Sequence, residues 1–255
     1  MPPKLHLIRH AQGYHNLGPE NWSLLDPELT EKGRQQCQEL RREITFSDSI
    51  DLVVASPMRR AIHTGLEALS PAFEAKPWLK MIALPDLQEV SDFPCDIGTE
   101  RVDLQRQMEE ANLPVDLSLV DDDWTKKTGR YEPTREKIRA RARDVRAWFK
   151  ARPEKEIAVV SHGGFLHFLT EDWEDACKYD GTGWANAESR TYEFVTDGVE
   201  LNEKFDAEVD EAPMQETRES RHVRGQTALS PTIKDQKLLS GEMLQGWANQ
   251  GYPIE

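Results

Sequence analysis

The chain has 255 residues, enough for one large α/β domain with a sizeable core, and its 38% hydrophobic and 31% charged residues mark it as globular rather than disordered. Its 32 Lys and Arg against 46 Asp and Glu leave a net charge of −14, a field that repels polyanions. Nucleic-acid and membrane partners are disfavoured, and any phosphate must sit in a local cationic pocket inside an acidic shell. Cys37, Cys95 and Cys177 lack CxxC spacing, so neither a disulfide framework nor a zinc site is expected, and no stretch approaches the ~18 apolar residues of a membrane helix. The expected location is a reducing one, cytoplasmic.

In chain order, Lys4 to Ile8 predicts a short strand that ends at Arg9-His10. Thr30 is placed to cap a helix carrying Cys37, Leu40 and Ile44 on one face, with Gly33 allowing close packing. Asp51 to Ala55 predicts a second strand, followed after Ser56-Pro57 by a helix with Met58, Ile62, Leu66 and Leu69 at near-helical spacing. Met81 to Leu84 predicts a third strand before Asp86-Leu87-Gln88-Glu89. The stretch from Val90 to Tyr131, rich in Pro, Gly and Asp, reads as an insertion or cap with a helix over Thr99 to Ala111. Thr134 to Lys150 predicts a basic amphipathic helix with Ile138, Ala142, Val145 and Phe149 inward and its arginines on a solvated face.

Glu156 to Ser161 then reads as a buried strand, and His162-Gly163-Gly164 opens the next helix. Strands near Thr191 to Val195 and Val199 to Asn202, joined by an Asp197-Gly198 turn, complete the sheet. The domain is therefore read as residues 1–204. Residues 205–255 form a polar extension: Phe205 to Lys237 is expected to be a mobile or surface-hugging tail, and Leu238 to Trp247 a short helix docked on the domain or across a homodimer. Alternating strands and helices imply an α/β fold with a parallel sheet.

Chemistry concentrates at strand ends. Arg9-His10 and Ser161-His162 each follow a buried strand, and in open α/β sheets ligands collect beyond the carboxyl ends of the strands. If the two strands are parallel neighbours, both imidazoles reach one crevice. Gly163-Gly164 at a helix start exposes backbone N–H groups that favour an anion. Ser56-Pro57-Met58-Arg59-Arg60-Ala61 puts a guanidinium fork at another helix start, and Leu87-Gln88-Glu89 leaves a carboxylate where a general acid would sit. Taken singly, each has a plain alternative: a hydrogen-bonded histidine, an exposed arginine, one acidic residue of 46.

Together these residues form a pattern. Leu7-Ile8-Arg9-His10-Ala11 with Asn16, Leu29-Thr30 with Gly33 and Gln36, Ser56-Pro57 with Arg60-Ala61 and Thr64, Leu87-Gln88-Glu89, and Ser161-His162-Gly163-Gly164 resemble, in order and spacing, the histidine phosphatase superfamily in its phosphoglycerate mutase-like branch. The resemblance runs from about Lys4 to Asn202. The segments Arg9 to Asn16, Gln88 to Gly98 and His162 to Trp173 are similar to fungal mutase-like proteins. It implies a three-layer α/β/α sandwich with a mostly parallel central sheet and a cap insertion over residues 90–131.

The resemblance further implies that His10 is the nucleophile, forming a phosphohistidine; that Arg9, Arg60 and His162 surround the phosphate; that Glu89 is the general acid; and that Asn16, Gln12 and the Gly163 backbone N–H bind the phosphoryl group. It implies no metal and no cofactor. The nucleophile must be a neutral imidazole held in one tautomer, which a backbone carbonyl on the other ring nitrogen would achieve. Glu89 needs burial or a nearby carboxylate such as Asp92 to hold its proton, and Asp92 is also its rival for the role. Two features depart from the family pattern. Ala11 stands where a glycine is usual, and the segment after Glu89 is unlike that of cofactor-dependent phosphoglycerate mutases.

The expected activity is metal-independent hydrolysis of a small phosphorylated metabolite. The alternatives are a phosphoglycerate mutase-type phosphotransferase and a non-catalytic or repurposed phosphate-pocket protein. His6, His15, His63, His167 and His222 read as structural or solvated. Among Tyr14, Trp22, Phe93, Trp124, Tyr131 and Trp184, mostly core or cap residues, the Trp184-Ala185-Asn186 segment is best placed for a leaving-group pocket.

Overall fold

The computed structural model describes residues 1–176, 178–179, 181–195, 212–228, 230–249, 251 and 254. Among these, strands β1 (Lys4–Arg9), β2 (Leu52–Ala55), β3 (Met81–Ala83), β4 (Val115–Asp116), β5 (Glu156–Ser161), β6 (Ser189–Phe194) and β7 (Met214–Glu216) form a sheet of order β4-β3-β2-β5-β1-β6-β7. The pairs β4–β3, β3–β2, β2–β5 and β5–β1 are parallel; β6 runs antiparallel to β1, and β7 antiparallel to β6. The central strands read as continuous apolar runs because both of their faces are covered.

Helices α1 (Glu31–Glu43), α2 (Arg59–Ala68) and α3 (Ser70–Ala75) belong to one face, where Ile8, Val53, Ala158 and Val160 share a core with Cys37, Ile62 and Ala72. Helices α5 (Arg135–Lys150), α6 (Gly163–Thr170) and α8 (Ile233–Asn249) cover the other, where Leu7, Val54 and Val159 meet Val145, Phe168 and Trp247. This is the expected three-layer arrangement. All residues of α6 are buried, which its apolar sequence Gly-Gly-Phe-Leu-His-Phe-Leu-Thr permits.

Local chemistry sets the helix starts. The Thr30 side chain accepts the Gly33 N–H at 3.0 Å, and Thr134 caps α5 through the Lys137 N–H at 3.3 Å. Gly33 cannot be larger, since a Cβ there would lie 2.2 Å from the Gln12 carbonyl oxygen. The insertion holds α4 (Arg101–Glu110) and contributes β4 to the edge of the sheet, so it is partly woven into the core rather than laid over it.

Three expectations change. The arginines of α5 are not all solvated: Arg141 and Arg146 are buried, the former donating to the Gln88 carbonyl at 2.8 Å and the latter to the Phe168 and Leu169 carbonyls at 3.0 Å. Backbone carbonyls at the end of α6 and before Glu89 replace water around these cations. The second change lies in the presumed tail, where Met214–Glu216 forms β7 and Arg218–Val223 forms α7. Polar sequence concealed them because Arg221 and Arg224 are held by ion pairs with Glu174 and Glu216 rather than by apolar packing. Third, α8 is longer than expected and docks through Met243 and Trp247 on its own domain. The predicted strand Val199 to Asn202, the Asp197-Gly198 turn, the boundary near residue 204 and Cys177 lie outside the described residues.

Candidate active site

The register of the central strands brings the predicted groups together. Arg9 on β1 lies beside Ser161 on β5, and Ala55 on β2 beside Val160, so the three strands end side by side. The next residues continue the ladder: the His10 N–H donates to the Ser161 carbonyl and the Ser56 N–H to the Val160 carbonyl, both at 2.9 Å. The His10 and His162 rings are consequently 5.1 Å apart. Arg9, His10, Gln12, Asn16, Glu89 and Gly163 all line one cleft of about 840 Å³. Arg60 and His162 are fully buried and do not form its surface.

His10 is held in one protonation state by simple geometry. Its Nδ1 lies 2.8 Å from the Ala11 carbonyl oxygen, which can only accept, so Nδ1 carries the proton and Nε2 keeps its lone pair. Burial, then the Arg60 and Arg9 guanidinium groups, hold this imidazole well below the usual histidine range, so it is neutral at physiological pH. Ala11 raises no strain, as it is absent from the residues with positive φ, and its N–H donates to Thr64 Oγ1 at 3.0 Å. His162 is likewise held neutral by burial and Arg60, its Nε2 2.8 Å from Ser56 Oγ.

The Arg9 guanidinium donates to the Trp184 carbonyl. Asn16 Oδ1 accepts the Gly13 N–H at 3.0 Å and the Asn186 amide at 3.3 Å, so a ligand oxygen meets its Nδ2 donors instead. The Gln12 amide is fixed by Thr30 Oγ1 at 2.9 Å. Arg60 is the surprise. Its Nη2 donates to Asp96 Oδ1 at 2.9 Å and its Nη1 to the Cys95 carbonyl at 2.7 Å, so both ends of the fork are already engaged by the turn that follows Glu89.

Glu89 lies at the start of α6, where its carboxylate accepts the Gly164 and Phe165 N–H groups at 3.1 and 2.9 Å. Those helix-terminal donors, expected to face an anion, serve the Glu89 carboxylate instead. They also explain Gly164, whose Cβ would lie 2.7 Å from Glu89 Oε1. Burial first, and the Asp96 carboxylate next, raise Glu89 above the ordinary carboxylate range. The nearby carboxylate is thus Asp96 and not Asp92, which is exposed and absent from the cleft lining.

Sequence reasoning missed four groups. Asp96 lines the cleft and accepts Ser91 Oγ at 2.5 Å. His15 is buried with its ring 5.3 Å from that of His10. Lys127, from the insertion, donates to Gln88 Oε1 at 2.7 Å, and burial pushes its ammonium down to about 7. Trp247 of α8 reaches the cleft from the end of the chain. Of these, His15 and Asp96 carried a signal, lying in the Arg9 to Asn16 and Gln88 to Gly98 segments. In the Trp184-Ala185-Asn186 segment, Ala185 and Asn186 line the cleft, whereas Trp184 is buried beneath the Arg190 guanidinium, 3.9 Å away. His6 is structural, stacked on Phe46 and bonded to Thr191 and Glu156. Among the described residues, no group of three or more His, Cys, Asp or Glu side chains is arranged to hold a metal ion, and no helix is long and apolar enough to cross a membrane.

The profile of the histidine phosphatase superfamily (branch 1) matches residues 5–207. The chain belongs to that superfamily. It is 31% identical over 205 residues to an Arabidopsis thaliana phosphoglycerate mutase-like protein, covering 68% of this chain and 75% of the relative. It is 29% identical over 163 residues to a probable phosphatase of Schizosaccharomyces pombe, covering 62% of this chain and 73% of that one. In fold it is similar to the ecdysone phosphate phosphatase of Bombyx mori solved with tungstate, with a TM-score of 0.53 at 15% identity over 75% of this chain and 89% of that one. This histidine phosphatase superfamily member therefore has the α/β sheet and flanking helices of its fold neighbours.

Proposed function

We propose that this protein is a phosphatase that hydrolyses a small organic phosphomonoester, without a metal, through a phosphohistidine on His10. The observation that carries the reading is the His10 hydrogen bond to the Ala11 carbonyl, which leaves Nε2 unprotonated beside Arg9, Arg60 and His162. In the first step Nε2 attacks phosphorus and the bond from phosphorus to the alcohol oxygen breaks, with Glu89 giving its proton to that oxygen. The resulting Glu89 carboxylate takes a proton from water, whose oxygen attacks phosphorus as the P–Nε2 bond breaks. Inorganic phosphate leaves and His10 returns to its neutral form. Arg9, with Asn16 and Gln12 at the cleft surface, orients the phosphoryl oxygens, while Arg60 and His162 support them from beneath. The membership of the superfamily and the relative named as a probable phosphatase support the same reading.

The test is a rapid acid-sensitive trap: the full chain is mixed with p-nitrophenyl phosphate in the presence of EDTA, quenched in alkali, and analysed by mass spectrometry. A phosphoryl group on His10, lost in His10→Ala together with turnover, is expected. Turnover that persists in His10→Ala, or that EDTA abolishes, overturns the proposal. Incubation with 3-phosphoglycerate and a bisphosphate primer separates it from mutase chemistry, which would yield 2-phosphoglycerate rather than free phosphate.

A further inference from the structure

The catalytic groups occupy one part of a cleft of about 840 Å³, far more room than a phosphoryl group fills and within the range of pockets that enclose drug-sized ligands. We infer that the rest of the cleft receives the alcohol portion of a phosphomonoester as a flat, apolar, ring-bearing group with no carboxylate close to the phosphate. The inference rests on the phosphatase reading above and names the class of substrate that this site takes.

The general acid marks the position of the leaving oxygen, so the alcohol must begin beside Glu89. There the lining turns apolar. Val90 donates its N–H to Glu89 Oε1 at 3.0 Å and lines the cleft. Phe93 lines it too and stacks on Trp22, their ring centroids 5.1 Å apart at 29°. The two strands of chain are tied together by the Cys95 N–H, which donates to the Trp22 carbonyl at 3.0 Å. The segment that carries the acid therefore also carries an aromatic wall. A third ring comes from the C-terminal extension, where the Trp247 indole is fixed by a 3.0 Å hydrogen bond to the Gly181 carbonyl and also lines the cleft. Rigid aromatic faces recognise planar apolar groups by area and stacking.

Charge points the same way. Asp96 adds a second carboxylate to the wall beside Glu89, and among the described lining residues the Arg and Lys cations are Arg9, at the phosphate, and Lys32, exposed on the first turn of α1. An alcohol bearing its own carboxylate next to the phosphate, as in phosphoserine or 3-phosphoglycerate, would set that charge beside Asp96, whose Arg60 partner is already engaged, and beside the proton-bearing Glu89, with neither Arg9 nor Lys32 there to receive it.

The test compares kcat/KM of the full chain for 2-phenylethyl phosphate, ethyl phosphate and phosphoserine. The first two leave as alcohols of similar basicity, so their ratio reports recognition rather than leaving-group reactivity. The expected order is 2-phenylethyl phosphate above ethyl phosphate by about tenfold or more, with phosphoserine lowest. Trp22→Leu should lower the phenylethyl value several-fold more than the ethyl value, mainly through KM. Trp247→Leu should do the same, and because Trp247 is nearly fully buried, the half-buried Trp22 keeps the test decisive if that variant does not fold. Equal values for phenylethyl and ethyl phosphate, a preference for phosphoserine, or a preference that Trp22→Leu leaves intact overturns the inference while the phosphatase reading stands. No turnover of any of the three overturns it as well, and hydrolysis of p-nitrophenyl phosphate then shows whether that reading falls with it.

Discussion

The end of the cleft proposed to hold the phosphate and its aromatic end are built differently. At the first, His10, Ser56 and His162 follow three adjacent parallel strands whose register is fixed by a ladder of backbone hydrogen bonds. At the second, Trp22, Phe93 and Trp247 come from two connecting segments and a terminal helix that have no strand partnership with one another. The contrast separates chemistry, which needs fixed atoms, from recognition of the alcohol, which loops can alter without disturbing the sheet. Asp96 joins the two. It lies on the aromatic wall and holds the Arg60 guanidinium beneath the phosphate end.

The comparison is tested most severely at the acid. Glu89→Gln should reduce kcat/KM, which reports transfer to His10 and not the later water attack, by about 10²- to 10⁴-fold on alkyl phosphates and much less on p-nitrophenyl phosphate, whose leaving group needs little protonation; equal losses of kcat/KM on both would remove Glu89 from the acid role. Next in size, Asp96→Ala leaves the fully buried Arg60 without its carboxylate partner and should cost about 3–5 kcal/mol of stability by chemical denaturation, as expected for a broken buried ion pair. A loss below 1 kcal/mol would show that the link between the two ends does not hold the fold.

Acid should weaken the phosphate end in particular. His10, His15 and His162 are held well below the usual histidine range in the folded protein, whereas in the unfolded chain they take up protons near pH ~6.5. The unfolded state therefore binds more protons as pH falls below that value, and stability should drop by up to about 1.4 kcal/mol per pH unit for each imidazole. Stability is full above pH ~6.5, and His15→Gln should make the decline shallower in urea titrations at pH 5 to 7. Raised Glu89 acts in the opposite sense, favouring the folded state at low pH, so the measured slope is the smaller for it.

Subtler is the effect of charge at the shared residue. Asp96→Asn removes the negative charge that helps raise Glu89, so the fall of kcat/KM on the alkaline side should begin at lower pH, and an unchanged profile would deny the coupling. Smallest is a control away from the cleft: Thr134→Ala removes the α5 cap and should cost about 1 kcal/mol of stability with kcat unaltered.

Strand and helix placement was legible because the apolar runs of β1, β2 and β5 and the caps at Thr30 and Thr134 are local signals. Arg9, His10 and His162 were legible for the same reason, each standing at the end of such a run or just beyond, whereas Glu89, six residues past β3, was legible through the Leu87-Gln88-Glu89 segment. β7, α7 and the burial of Arg141 and Arg146 were not, since a charged side chain looks solvated until the carbonyls and carboxylates that receive it are known. Asp96 was one acidic residue among many, distinguished from Asp92 only by the fold of the turn that puts it on Arg60.

What the sequence determined by itself, then, was which side chains leave the strand ends, because alternation and run length are properties of neighbouring residues. What only the tertiary structure decided was which carboxylate meets Arg60, which carbonyl fixes the His10 tautomer and which rings close the cleft. Those choices depend on contacts between residues distant in the chain, and an ion pair or an aromatic wall has no periodicity that would announce its partner in advance.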